Sequence, residues 1–241
     1  MLGDFLLGLA WLFFAGALGL FLAGRLKQTL LELLARAFGA RFSPALYAML
    51  TLPGFFLHEA AHALAALLLR VPIRSVTFIP RRSVDDLAVG SSVQVARRDP
   101  LRMALIALAP LLVGTLVLGL LTGLLGSNST SPHPWTRLPE WAASLNYGSV
   151  DFWLAAYLIW ALGGTLAPSR ADMEHVRRGA LGLLLLLAAT GGILYLVGEQ
   201  AIAWLGTLLG RLGDGLAAAA VLNGIVLLPL AVLQMALSRR Y

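Results

Sequence analysis

Two histidines and a glutamate lie together in the segment His58-Glu59-Ala60-Ala61-His62, inside an apolar stretch of the chain. On a helix, positions i and i+4 share one face about one turn apart, so His58 and His62 would point to the same side. Two imidazole nitrogens placed in this way can bind one Zn²⁺ at about 2.0–2.1 Å each. Glu59 can then act as the general base that takes a proton from an attacking water. The spacing therefore predicts a zinc site with His58 and His62 as ligands and Glu59 as the catalytic base.

The surroundings of this motif favour a metal site over its plainest alternative, two packing histidines beside a glutamate at a helix end. A charged residue at the centre of a spanning helix costs about 2.5–3.5 kcal/mol on insertion scales. A helix that served only as an anchor would have no reason to carry Glu59 between two histidines. The preceding pair Pro53-Gly54 predicts a bend or a loosened turn at the start of the same helix.

The composition of the chain indicates a membrane protein. Hydrophobic residues make up 59% of the 241 residues and charged residues 12%, whereas soluble domains average about 45–50% and about 25%. The apolar residues lie in long runs, so we predict an all-α integral membrane protein with one polytopic membrane domain over residues 1–241. The net charge of +6 does not indicate nucleic acid, because the arginines lie mainly at the ends of apolar runs. The absence of cysteine excludes disulfides and thiolate metal sites.

The apolar runs predict about six transmembrane helices. Their approximate bounds are Phe5–Ala23, Ala45–Leu69, Leu101–Leu125, Phe152–Ala167, Gly179–Val197 and Leu216–Leu237.

The connecting segments differ in character. Arg25–Phe42 and Ala201–Leu212 are predicted as amphipathic helices at the membrane interface. Ser75–Ile79 and Val89–Ala96 have strand character and predict a small β-hairpin with a long loop. Gly126–Val150 is rich in Ser, Asn and Pro and predicts a solvent loop.

The distribution of basic residues predicts the orientation. With six spans, twelve of the 18 lysine and arginine residues fall on the side that carries the hairpin and both termini, and six fall on the other side. Because cytoplasmic loops carry the excess of basic residues, the hairpin side is predicted to be cytoplasmic. The basic Arg25–Arg41 stretch opposes this orientation.

The stretch Pro53-Gly54-Phe55-Phe56-Leu57-His58-Glu59-Ala60-Ala61-His62-Ala63, followed by a basic segment with strand character, resembles the site-2 protease family of intramembrane zinc metalloproteases. The resemblance is strong over about Leu52–Val95, and the metalloprotease core would span about residues 45–180. It implies a zinc metalloendopeptidase with an aspartate on a later spanning helix as the third ligand.

A catalytic zinc usually has three protein ligands and one water, so two histidines leave one ligand to be found. Three acidic or histidine residues follow just past the fourth span, Asp172, Glu174 and His175. They are predicted to lie on the same side of the membrane as the carboxyl end of the motif helix. The resemblance selects Asp172, which follows a Pro168-Ser169 pair that predicts a helix break and an N-cap. Met173 stands where the family has glycine, and Gly164 where it has an asparagine with an oxyanion-stabilising role. The alternative for Asp172 is that it only caps the new helix or complements its dipole.

Three functions remain open on the sequence alone. The first is an intramembrane zinc protease whose partners are membrane lipid and a single-span membrane protein substrate, with no role for nucleic acid, in a multi-pass protein of the bacterial inner membrane. The second is a non-catalytic metal-binding membrane protein on the same scaffold, which the departures around Asp172 favour. The third is a transporter with an intramembrane metal site, against which the lack of a visible inverted repeat counts.

Overall fold

Nine helices and one two-stranded hairpin make up the part of the chain that the computed structural model describes, residues 2–82, 89–95, 99–126, 131 and 133–238. The helices, in chain order, are α1 (Leu2–Phe38), α2 (Ser43–Leu50), α3 (Leu52–Leu68), α4 (Pro100–Leu125), α5 (Pro134–Ser144), α6 (Val150–Gly163), α7 (Arg170–Arg178), α8 (Ala180–Val197) and α9 (Glu199–Ser238). The strands are β1 (Ile73–Arg82) and β2 (Val89–Val95). The predicted all-helical fold is confirmed.

Three helices of the described chain, α1, α4 and α9, are long and apolar enough to cross a membrane. A fourth span is formed if α7 and α8, which meet at a bend of 67°, are taken together. The apolar helices α3 and α6 have 17 and 14 residues, which gives lengths of roughly 25 Å and 21 Å, less than the hydrocarbon core of about 30 Å. The multi-pass character is supported by these lengths, and the count of six spans stays a prediction.

The first and last predicted spans are parts of longer helices. α1 continues without a break from Leu2 to Phe38, so the predicted interfacial helix Arg25–Phe42 is the second half of the same helix up to Phe38. α9 likewise joins the predicted Ala201–Leu212 helix to the last span. Neither junction contains a proline, and a helix continues wherever each new residue adds a backbone hydrogen bond. The side chains along these helices change between apolar and more polar, but the helical backbone continues without a break.

The predicted solvent loop Gly126–Val150 contains the helix α5. Arg137 of α5 donates from Nε to Asp214 of α9 at 2.7 Å, and Asp214 also accepts from the indole Nε1 of Trp11 in α1 at 2.9 Å. This half-buried ion pair fixes α5 against the long helix pair, because each group satisfies the polar atoms of the other.

The hairpin follows directly after α3 and packs against it. β1 and β2 pair antiparallel, with Val76 opposite Val93 and Thr77 opposite Ser92. The predicted strand pairing is therefore confirmed, and the connecting residues 83–88 lie outside the described residues. Its cytoplasmic location stays a prediction.

The core of the bundle lies where α1, α4, α6 and α9 meet. Its fully buried members include Leu118 of α4 and Ile159 of α6, packed against the small residues Ala217–Ala219 of α9. α3 lies beside this core, between α4 and α6, with α7 packed on the amino-terminal part of α4. α3 carries His58, Glu59 and His62, and α7 carries Asp172.

Candidate metal centre

The motif helix α3 begins at a proline-containing first turn. Pro53 occupies the first turn, where its missing N–H would have no helical partner in any case. The predicted span Ala45–Leu69 is interrupted at Thr51, between α2 and α3, so the expected loosening occurs two residues before Pro53. Alanine, the residue with the highest helix propensity, fills much of the remaining helix, which continues through His58 and His62 to Leu68.

Gly54 brings α3 into close contact with the end of α6. A Cβ at this position would lie 2.2 Å from Oγ1 of Thr165 and 2.3 Å from the carbonyl oxygen of Ala161. Only a residue without a side chain permits this approach. Because His58 lies one turn further along α3, the contact at Gly54 sets the distance between the His58 ring and the backbone that follows α6.

Both motif histidines donate from the same ring nitrogen to a backbone carbonyl. Nδ1 of His58 lies 2.9 Å from the carbonyl oxygen of Thr165, and Nδ1 of His62 lies 2.8 Å from that of Ile106. A carbonyl oxygen only accepts hydrogen bonds, so each Nδ1 carries the proton. In the neutral ring, Nε2 then keeps a free lone pair, which is the form that binds a metal.

The two lone-pair-bearing nitrogens point at each other. Nε2 of His58 and Nε2 of His62 are 3.3 Å apart, with the rings nearly perpendicular at 78°. Two neutral nitrogens that both lack a proton cannot hydrogen-bond to one another. A metal ion between them would make this approach favourable.

Asp172 brings a third lone pair to the same place. It lies in the first turn of α7, and its Oδ1 is 3.6 Å from Nε2 of His62. Its other oxygen, Oδ2, accepts from the backbone N–H of Ser169 at 2.8 Å and from the Ser169 hydroxyl at 2.6 Å. The predicted N-cap at Ser169 is confirmed, and the cap and the site share one carboxylate: Oδ2 caps the helix and Oδ1 faces the histidines.

The spacing of the three groups fits a zinc ion. All three ligand atoms, one each from His58, His62 and Asp172, lie within 4.8 Å of one another. Bonds of about 2.0–2.1 Å in a tetrahedral site place neighbouring ligand atoms about 3.3–3.4 Å apart. Two of the distances, 3.3 Å and 3.6 Å, are close to that edge, and the third, between His58 and Asp172, is at most 4.8 Å. A nitrogen–nitrogen–oxygen donor set suits Zn²⁺, and three ligands leave one position for water.

Gly179 holds the helix that carries Asp172 against α4. A Cβ there would lie 2.5 Å from Cβ of Ala104 and 2.5 Å from the carbonyl oxygen of Pro100. The bend between α7 and α8 falls at this glycine, so α7 is fixed where it meets α4. The position of Asp172 relative to α3 is thus set through α4, the helix that also bonds His62.

Glu59, the predicted catalytic base, is 4% exposed and lies on α3 between the two histidines. At about 100° per residue, His62 lies about 40° around the helix from His58, and Glu59 lies about 60° beyond His62. Glu59 is not among the three residues whose ligand atoms converge within the described chain. Glu59 is therefore outside the converging ligand set.

The other residues weighed for the third ligand lie elsewhere. Glu174 forms an ion pair with Arg178 one turn along α7, and His175, also in the last turn of α7, is absent from the converging group. The remaining histidine, His133, lies at the N-cap of α5 and stacks on Trp135 with ring centroids 4.8 Å apart. Sequence reasoning missed the carbonyls of Ile106 and Thr165, because every residue has a carbonyl and the side chain does not show which one is available.

The Ser169 hydroxyl gives a direct test of how Asp172 is held. Ser169→Ala removes the hydrogen bond to Oδ2 and lets the carboxylate turn, so zinc affinity is expected to fall roughly 10–100-fold, as for other partners of metal ligands. Ser169→Thr keeps the hydroxyl and is expected to bind zinc as the wild type does. Competition against a chromophoric chelator measures both affinities.

The variant Ser169→Gly separates the effect of Ser169 on helix capping from its effect on the orientation of Asp172. Glycine at an N-cap costs only a few tenths of a kcal/mol relative to serine, yet it offers no hydroxyl to Asp172. Zinc affinity in this variant is expected to match Ser169→Ala. Wild-type affinity in both variants would show that the hydroxyl does not orient the ligand.

Comparison of the chain with models of known protein families, with curated proteins and with solved structures gave no match. The assignment of function therefore depends on the chemistry of the site itself.

Proposed function

We propose that this chain is an intramembrane zinc metalloendopeptidase, with His58, His62 and Asp172 as zinc ligands and Glu59 as general base. The observation that supports it most directly is the convergence of two imidazole nitrogens and a carboxylate oxygen within 4.8 Å. Three electron-pair donors at this distance are stabilised by a cation placed between them. The resemblance of the His58–His62 stretch to site-2 proteases agrees with this chemistry.

The ligand number favours a catalytic site over a purely structural one. Structural zinc sites are closed by four protein ligands, whereas catalytic sites have three and leave a position open. Only three ligand atoms converge in the described residues, and the buried Glu59 lies on the same helix between the two histidines. This favours hydrolysis over the alternative of a non-catalytic metal-binding protein.

A bound zinc ion would supply Lewis acidity, which lowers the pKa of water and polarises a substrate carbonyl. Glu59 then takes the proton from the attacking water and later gives it to the leaving amine. The two backbone carbonyls hold the histidine rings in the metal-binding tautomer. Ser169 holds Asp172 with one oxygen turned toward the site.

The surroundings of the site indicate the substrate class. The site is built on α3, α6 and α7, beside helices long and apolar enough to span a bilayer, and exposed leucines and phenylalanines cover the outer faces of those helices. A substrate that reaches such a site through the lipid is itself membrane-embedded. We propose a single-span membrane protein as substrate, in the inner membrane of a bacterium, with the hairpin and α7 facing the cytoplasm.

Removal of the metal tests the proposal. The purified protein is reconstituted into lipid vesicles with a panel of single-span substrates, treated with a zinc chelator and then resupplied with zinc. Cleavage is expected to stop on chelation and to return at about one zinc per chain, because the ligand set holds a single ion. Bound zinc with no cleavage of any substrate would favour the non-catalytic alternative, and cleavage that survives complete zinc removal would contradict the mechanism.

A further inference from the structure

The carbonyl of Ile106, which accepts the hydrogen bond from His62, lies four residues before Pro110 in α4. In a regular helix this carbonyl would accept from the N–H of residue 110. Proline has no N–H, and its ring clashes with the carbonyl four residues earlier, which turns that carbonyl away from the helix axis. Pro110 therefore removes the normal donor of the one carbonyl in α4 that bonds His62.

A proline also removes a backbone donor near the carbonyl that bonds His58. The Thr165 carbonyl that bonds His58 lies three residues before Pro168, which cannot donate to it. The next N–H, that of Ser169, is already used by Oδ2 of Asp172. Both backbone donors that could close a turn on Thr165 are thus absent or occupied, and the imidazole of His58 takes their place.

The bond between His62 and Ile106 lies inside the protein, and that between His58 and Thr165 is partly buried. Ile106 is 4% exposed and His62 is 7% exposed, so water does not compete for the carbonyl. A buried carbonyl is nearly always paired, and in α4 the available partner is the ring of His62. The ring is held by this bond in the tautomer that leaves Nε2 free.

We infer that Pro110 and Pro168 are positioning residues of the metal centre: each removes a backbone N–H that would otherwise compete for the carbonyl that orients a ligand histidine. The inference depends on the proposed metal site for its function, but the orientation of the His62 ring can be measured without metal. Pro110 is the better test, because Pro168 adjoins the Ser169 cap and its replacement would also disturb Asp172.

Replacement of Pro110 by alanine restores an N–H that can bond Ile106 and release His62. Zinc affinity is expected to fall roughly 10–100-fold, the usual effect of losing a partner of a metal-ligating histidine. The helix itself is expected to gain thermal stability, because alanine favours a helix interior and proline does not. A merely structural role for Pro110 would not produce higher stability together with weaker metal binding.

Two controls separate the effect of the restored backbone N–H at position 110 from other effects of the substitution. Pro229→Ala makes the same change inside α9 and is expected to leave zinc affinity unchanged. A lactic acid residue at position 110 lacks the N–H, as proline does, but also lacks the ring, and it is expected to keep wild-type zinc affinity. Weak binding in the lactic acid variant would assign the effect to the ring rather than to the N–H and would overturn the inference.

The tautomer of His62 gives the readout that needs no metal. The chain has four histidines, so ¹⁵N spectra of the imidazoles are simple to assign with single variants. At about pH 8.5, where a histidine side chain is neutral, metal-free wild type is expected to show His62 protonated at Nδ1, and Pro110→Ala to show a mixture of both tautomers. If the two proteins have the same tautomer and the same zinc affinity, the inference is wrong. If Pro110→Ala shifts the tautomer of His62 but the wild-type protein binds no zinc, the role of Pro110 is supported and the proposed function is contradicted.

Discussion

Glu59→Gln is expected to abolish peptide cleavage while leaving zinc bound. Glutamine has nearly the same shape as glutamate but cannot accept a proton, and the loss of a general base lowers turnover by roughly 10²–10⁴-fold. Zinc remains because Glu59 is not one of the three converging ligands, His58, His62 and Asp172. The measurement pairs zinc content per chain with the turnover of a reconstituted single-span substrate.

A matched control for this variant is Glu199→Gln, which makes the same change at an exposed position in the first turn of α9. It is expected to cleave at the wild-type rate. Wild-type turnover in Glu59→Gln would show that the assigned mechanism is wrong. Loss of zinc from Glu59→Gln would instead make Glu59 a ligand and require a different base.

The part of the site that depends on local spacing could be predicted from the sequence. His58 and His62 converge because a four-residue spacing on any helix places two side chains on one face. The cap at Ser169 also follows from local chemistry, since serine after proline and before a carboxylate three residues on predicts an N-terminus. What the pattern could not show is that Asp172 uses one oxygen for the cap and turns the other toward His62.

The errors concern where helices begin and end. Polarity changes after Gly24, and the sequence was divided there, yet α1 continues to Phe38 because nothing in the backbone interrupts it. The predicted span Ala45–Leu69 is interrupted at Thr51, two residues before Pro53, and the proline fits without strain in the first turn of α3. The predicted end of the fifth span at Val197 agrees with the end of α8. The next residue, Gly198, adopts φ 97°, a conformation that favours glycine.

The long-range contacts could not be predicted from one sequence. The approach of α3 to α6 at Gly54 and of α7 to α4 at Gly179 depends on pairs of residues more than 70 positions apart. Pro110 was visible in the sequence as a proline within an apolar run, but its effect on His62 needs the packing of α4 on α3. The convergence of His58 and His62 was thus predictable from local spacing, whereas the groups that orient their rings were not.

Asp172→Asn is expected to weaken zinc binding by more than the roughly 10–100-fold caused by loss of a ligand's partner, and to stop cleavage. The N–H of Ser169 donates to Oδ2 of Asp172, so in the variant the amide oxygen must occupy that place, because an NH₂ group there would meet another donor. The NH₂ group then points toward Nε2 of His62, and a group without an available lone pair cannot bind a metal. The cap is retained, so the expected change in folding stability is small.

Glu174→Gln is the matched control, because it removes a carboxylate from the same helix, α7. This carboxylate pairs with Arg178 and not with the histidines. It is expected to bind zinc and cleave substrate as the wild type does, and thermal unfolding of both variants shows whether α7 remains folded. Zinc affinity measured by chelator competition then isolates the ligand. Equal zinc affinity in Asp172→Asn and wild type would exclude Asp172 as the third ligand, and a loss confined to Glu174→Gln would transfer that role to Glu174.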